Sequence, residues 1–122
     1  MSMHNQELGQ IGEELAVREL EDRGYAILAR RYRTRHGEID IVARDGDTIV
    51  FVEVKARATG ELGTAAEAVA DGKQRRLAAM AMEYLARQRV AECPCRFDVV
   101  AIDAAAGPSP VVAVLPNAFD AV

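Results

Sequence analysis

The sequence predicts an α/β sandwich, a small mixed β-sheet flanked by helices in the order αβββαβ. Three observations lead there. An apolar stripe at helical spacing opens the chain. Two alternating segments joined by a strong turn signal follow it. A second long helical stripe then precedes the apolar run Arg96 to Ile102. The 122 residues, half of them hydrophobic and 28% charged, fit one compact domain over residues 1–122, with no internal repeat.

The elements follow in order. Asn5 suits a helix cap, Glu7 its first turn and Gly24 its end, which predicts a helix over Asn5–Arg23 with Leu8, Ile11, Leu15 and Ala16 on its apolar face. Tyr25–Arg33 reads as a strand, apolar at first and basic at its end. Glu38–Arg44 and Thr48–Lys55 are strands around Asp45-Gly46, a hairpin. Thr59–Gly63 reads as a loop and Thr64–Ala70 as a short helix. Gly72–Arg89 is a longer helix, with Leu77, Met80, Ala81, Tyr84 and Leu85 on one side. Glu92–Pro94 turns the chain, Arg96–Ile102 is a buried strand, Asp103–Pro110 a turn or linker, and Val111–Leu115 a last strand.

Formal charge is −4 and the isoelectric point about 5.2, which does not by itself suggest a nucleic-acid binder. Local charge is more informative, because metal-binding carboxylates also add negative charge. Cys93 and Cys95, flanking Pro94, are too close for a relaxed disulfide, and two thiols alone do not complete a zinc site. They read as spare thiols of a reducing compartment. The first residues lack a signal-peptide pattern, and no apolar stretch reaches the length of a membrane span. We expect a cytoplasmic protein with no membrane partner.

The hairpin carries the chemistry. Side chains alternate along a strand. A two-residue turn at Asp45-Gly46 pairs Arg44 with Asp47, sets Glu38 opposite Glu53 and Asp40 opposite Phe51, and places Glu38, Asp40, Glu53 and Lys55 on one face. The other face (Ile39, Ile41, Ala43, Val50, Val52, Val54) is wholly apolar and reads as core. Carboxylates facing each other across a strand pair cost about 0.2–1 kcal/mol per pair. A hard divalent cation accounts for such a cluster, because Mg²⁺ takes one or two carboxylates with water and substrate phosphate. Lys55 would hold the attacking water or offset charge developing on the phosphate. The bland alternative is a solvated hairpin face with Lys55 paired to Glu53 or Glu38. Asp71-Gly72-Lys73 repeats the acid-x-Lys spacing, but it lies at a helix start with no strand before it and is discounted.

Gly37-Glu38-Ile39-Asp40, a hairpin and Val52-Glu53-Val54-Lys55 together resemble the core of the PD-(D/E)xK nuclease superfamily. The whole chain resembles the YraN-like family of small uncharacterised bacterial proteins, which is similar to archaeal Holliday junction resolvases. Gly9-x-x-Gly12-Glu13, Gly24-Tyr25, Arg96-Phe97-Asp98-Val99-Val100 and Asn117-Ala118-Phe119 extend the likeness along the chain. The resemblance implies a restriction-endonuclease-like fold and cleavage of DNA, branched or damaged, with Mg²⁺ or Mn²⁺. A DNA-binding or scaffold protein that keeps the fold without cutting is the alternative. It implies Asp40 and Glu53 as metal ligands, Lys55 as the catalytic lysine and Glu13 as a further acid brought to the metal. Ile39 stands where the superfamily motif has proline. Glu38 is a further ligand candidate, or a residue that orients Lys55 or contacts an arginine. The helical wheel agrees on Glu13: it shares a stripe with Gly9, Ala16 and Leu20 beside the core, whereas Glu14 lies on the polar side.

Basic residues frame this cluster. Arg31, Arg33, Arg35, Arg57 and Lys73, with Gln74, are candidate nucleic-acid contacts, since a basic rim around an acidic site suits a phosphate backbone. The alternative is a charged edge strand that resists aggregation. His36 and Asp45 read as turn residues, and Asp98 as a structural acid pairing with Arg96 or a nearby arginine. The resolvase likeness also implies a homodimer.

Overall fold

The computed structural model describes residues 5–57, 71–103 and 110–119. The elements are α1 (Asn5–Asp22), β1 (Ala26–Thr34), β2 (Gly37–Asp45), β3 (Thr48–Arg57), α2 (Asp71–Arg87), β4 (Cys95–Asp103) and β5 (Val111–Phe119). The expected loop over Thr59–Gly63 and short helix over Thr64–Ala70 lie outside the described residues, as does most of the turn after Asp103. The strands form one mixed sheet in sequence order. Among the described residues, only the β3–β4 pairing is parallel. This is the expected sandwich, with β5 on its far edge.

Local chemistry sets the helix ends. After α1 the chain passes through Gly24 at φ +91°, and the Tyr25 amide donates to the Leu20 carbonyl at 2.9 Å. That is a Schellman ending, which satisfies an otherwise orphaned carbonyl. α2 ends in the same way, with Arg89 at φ +58° and Val90 N–H donating to Leu85.

Both faces of the sheet are covered. On one, Ala16, Val17 and Leu20 of α1 pack on Ile41, Ala43, Val50, Val52, Val100 and Ile102. On the other, Leu77, Met80, Ala81, Tyr84 and Leu85 of α2 pack on Val42, Ile49, Phe51, Phe97 and Val99. This double coverage explains why β4 reads as a continuous apolar run. It also corrects one expectation: the face that carries the acids is itself core beneath α2, and the acids lie at the rim of that packing. Ile39 departs from alternation and joins the α2 side. Its neighbour across the ladder, Tyr32, follows Arg31, whose φ of +51° breaks the regularity of β1. Gly12 lets α1 approach closely, since a Cβ there would lie 3.0 Å from Ala56 Cβ.

The hairpin register is a second correction. Asp45 pairs with Thr48 and Arg44 with Ile49, not Asp47, so the pairing is shifted by two residues. The two-residue turn is Gly46-Asp47, with Gly46 at φ +63°. A type II′ turn takes glycine at its first central position, whereas the expected turn would have put Asp45 there. Shifting by two preserves which face each side chain occupies. The facing pairs Glu38–Glu53 and Asp40–Phe51 are lost.

The β2–β3 ladder stops at Ile41–Val52. Beyond it, β2 continues against β1 alone and β3 against β4 alone. The sheet forks there.

Candidate metal centre

Asp40 and Glu53 stand on the two prongs of this fork. Separation of the strands leaves the Val54 amide without a carbonyl from β2, and Asp40 Oδ2 accepts it instead at 2.8 Å. Glu53 is buried, with 6% of its surface exposed. Two basic side chains converge on it: Lys55 Nζ lies 3.5 Å from Oε1, and Lys73 Nζ from the start of α2 forms an ion pair with the same oxygen. His36, Gly37, Glu38, Asp40, Glu53, Lys73, Arg76, Leu77 and Met80 line a cleft of about 200 Å³ between β2 and α2.

The electrostatics are strained. Burial and then the neighbouring Glu53 charge push Asp40 up to about 7, against the Val54 hydrogen bond and Lys73, which pull it down. Lys55 is lowered, first by burial and then by its contact with Lys73. Burial is the largest single influence on Lys73 and lowers it, but its bonds to Glu53 and Lys55 and the charges of Glu53 and Asp40 together raise it. A buried carboxylate, Glu53, beside a half-buried one, Asp40, with their mutual repulsion only partly offset by lysines, is a donor set that fits a divalent cation. Mg²⁺ needs no more than one or two carboxylates from the protein, the rest coming from water and substrate.

The other expected ligands are placed elsewhere. Glu13 is buried at 8% exposure beside the core, as its stripe on α1 implied, but its carboxylate is engaged by Arg30 at 3.1 Å and Arg31 at 3.1 Å. Glu38 lines the cleft and is paired with Arg33 at 3.4 Å. Among the described residues, no three His, Cys, Asp or Glu side chains converge as a metal-binding group. The acidic core is thus the pair Asp40 and Glu53.

The basic frame is also redistributed. Arg31 is bound to Glu13, Arg33 to Glu38, and Arg35 to Glu83 of α2 at 3.4 Å. Gln74 sits one residue past Lys73, half-buried and engaged. The Arg57 side chain lies outside the described residues. Lys73 is the unexpected member: the discounted Asp71-Gly72-Lys73 supplies a lysine that reaches Glu53. Arg76, which the sequence shows only as one of the basic residues following the hairpin, lines the cleft as well. The spacing held a signal for both, since Lys73, Arg76, Leu77 and Met80 share one face of α2, whose apolar members were already assigned to the core.

A second polar cluster lies on the opposite face of the sheet, where Asp98 of β4 is paired with Val52 of β3. Asp98 is wholly buried. It accepts Arg96 Nε at 3.0 Å, Tyr25 Oη at 3.3 Å and the Asn117 amide at 2.9 Å. Arg96 also reaches Asp45 at 3.0 Å and stacks over Tyr25. The motifs at Gly24-Tyr25, Arg96 to Val100 and Asn117 to Phe119 therefore meet in one structural knot, with every oxygen of Asp98 satisfied.

Comparison with known sequences identifies the family and its relatives. The profile of the uncharacterised protein family UPF0102 matches residues 12–102. A UPF0102 protein of Geobacter metallireducens is 51% identical over 98% of both chains. One of Rhodococcus opacus is 46% identical over 95% of this chain and 98% of its own. One of Geobacter sulfurreducens is 44% identical over 98% and 93%.

Proposed function

For a chain that belongs to the uncharacterised family UPF0102, we propose the activity of a divalent-metal-dependent endonuclease that hydrolyses DNA phosphodiester bonds, branched or damaged DNA being the substrate class. One observation carries this: a carboxylate pair, half-buried Asp40 and buried Glu53, at a fork in the sheet, with Lys55 beside it and an open cleft leading to it. Asp40 and Glu53 would hold Mg²⁺ or Mn²⁺. When bound, such an ion offsets charge on a phosphate and lowers the pKa of a water.

The chain's own part is positional. The Val54 amide fixes the Asp40 carboxylate. Lys55 is pressed toward its neutral form by burial and by Lys73, and stands where it can hold a water or meet charge growing on a phosphate oxygen. Its place on a strand rather than a loop keeps it within reach of Glu53. The likeness of the hairpin to PD-(D/E)xK nucleases and of the chain to junction resolvases supports this reading, a restriction-endonuclease-like assignment of the fold, and a homodimer as the working unit. We place the protein in the cytoplasm. No described helix is long and apolar enough to cross a membrane, and both cysteines are free thiols.

A second reading has its own support. Glu13 and Glu38 are both held by arginines and, among the described residues, no third acid joins the pair, as would suit a DNA-binding scaffold that does not cut. One assay separates the two. The protein is incubated with linear, single-stranded and four-way-junction DNA in Mg²⁺ or Mn²⁺, beside Asp40→Ala and Lys55→Ala. Metal-dependent cleavage lost by at least about 100-fold in both variants supports the enzyme. DNA binding without cleavage, or cleavage equal in all three proteins, rejects it.

A further inference from the structure

We infer that Arg76 is a phosphate-binding residue of the cleft, set to hold the nucleic-acid backbone against α2 while the acids face it from the sheet. The inference rests on the nucleic-acid reading above and goes beyond it by naming the cation that grips the substrate. Most of the arginines and lysines framing the centre are committed to acids of this chain. Arg30 and Arg31 hold Glu13, Arg33 holds Glu38, Arg35 and Arg87 hold Glu83, and Lys73 holds Glu53. Arg76 is exposed, lines the cleft beside Lys73 and makes no ion pair among the described residues.

Geometry favours Arg76 over other exposed arginines. Lys73, Arg76, Leu77 and Met80 form one face of α2, so its guanidinium stands one turn along from the lysine that touches Glu53. His36 and Gly37 close the cleft from the β1–β2 turn. An anion passing along this wall meets a planar donor fork, which matches phosphate oxygens in pairs. It is also kept from the acids by the neighbouring lysine. Arg75, the next residue back, is equally exposed but does not line the cleft. It therefore serves as an internal control with the same charge on the same helix.

The test measures binding apart from cutting. In an Asp40→Asn background with chelator, fluorescence anisotropy follows a fluorescein-labelled duplex and a labelled four-way junction across a salt series. Arg76→Met should weaken binding about five- to tenfold near ~0.1 M salt and lower the salt slope by about one, while Arg75→Met changes affinity less than about twofold. Equal losses in the two variants would overturn the assignment and leave only diffuse attraction. If the folded Asp40→Asn parent binds neither DNA, the nucleic-acid reading falls and this inference falls with it.

Discussion

Asp40 bears a cost in the metal-free protein. Its carboxyl titrates near 7 in the fold, above its ordinary value of 3.8, because burial and Glu53 both oppose its charge. Between these values the folded chain binds more protons than the unfolded one, so stability falls as pH rises through 7. Asp40→Asn keeps an oxygen for the Val54 amide and removes the charge. In chelator, its stabilising effect should be near zero at pH 4 and grow to the order of 1–3 kcal/mol above pH 7, read as a shift in the thermal midpoint. Lys73 offsets part of the same charge from across the cleft. Replacing it with methionine removes a competitor for the acids, and Mn²⁺ affinity by titration calorimetry should rise three- to tenfold, from repulsion on the order of 1 kcal/mol. Weaker binding in Lys73→Met would show that the lysine organises the pair instead.

At the scale of elements, α1 depends on the absence of a side chain at Gly12. The Ala56 Cβ would stand 3.0 Å from any Cβ placed there, with Ile102 and Val54 just beyond. Gly12→Val should cost about 1–3 kcal/mol in urea denaturation, because the helix must lift from β3 and β4 to admit the branch. The hairpin shows how far a sequence carries such detail. Alternation placed Glu38, Asp40, Glu53 and Lys55 on one face, and that survives because the register moved by two. The move itself could not be seen from parity, which is blind to even shifts. Only the preference of the turn for Gly46 at its first central position decides it. The fork beyond Ile41–Val52 was likewise hidden, since it depends on which strand Glu53 and Val54 take as their neighbour.

For the molecule as a whole, Asp98 ties strands to each other and to the end of α1. It is fully buried and anchors Arg96, Tyr25 and the Asn117 amide. Asp98→Ala should cost about 3 kcal/mol or more, since it leaves donors unpaired in the interior. The metal affinity of the folded variant should stay within about twofold of the parent, because Asp98 alternates with Phe97 and Val99 and so faces away from Glu53, on the other side of the sheet. Long-range pairing is what the sequence could not reveal. The basic run Arg30 to Arg35 looked like a contact surface, yet Glu13 and Glu14 on α1 and Glu83 on α2 neutralise much of it. Lys73 was legible as a candidate contact on the helix flanking the site, but the fold alone carries it to Glu53. The pairing of Asp98 with Arg96 was legible, two residues apart on one strand. The β3–β4 seam has a kinetic meaning as well. It is the parallel join of the sheet, and it must close a long intervening segment that contains α2, whereas β1 to β3 join through tight turns. During synthesis the hairpins can therefore form first and present Asp40 and Glu53 to water before Lys73 and Arg76 have docked. The nascent protein is, for that interval, an acidic half-site awaiting the helix that gives it a cleft.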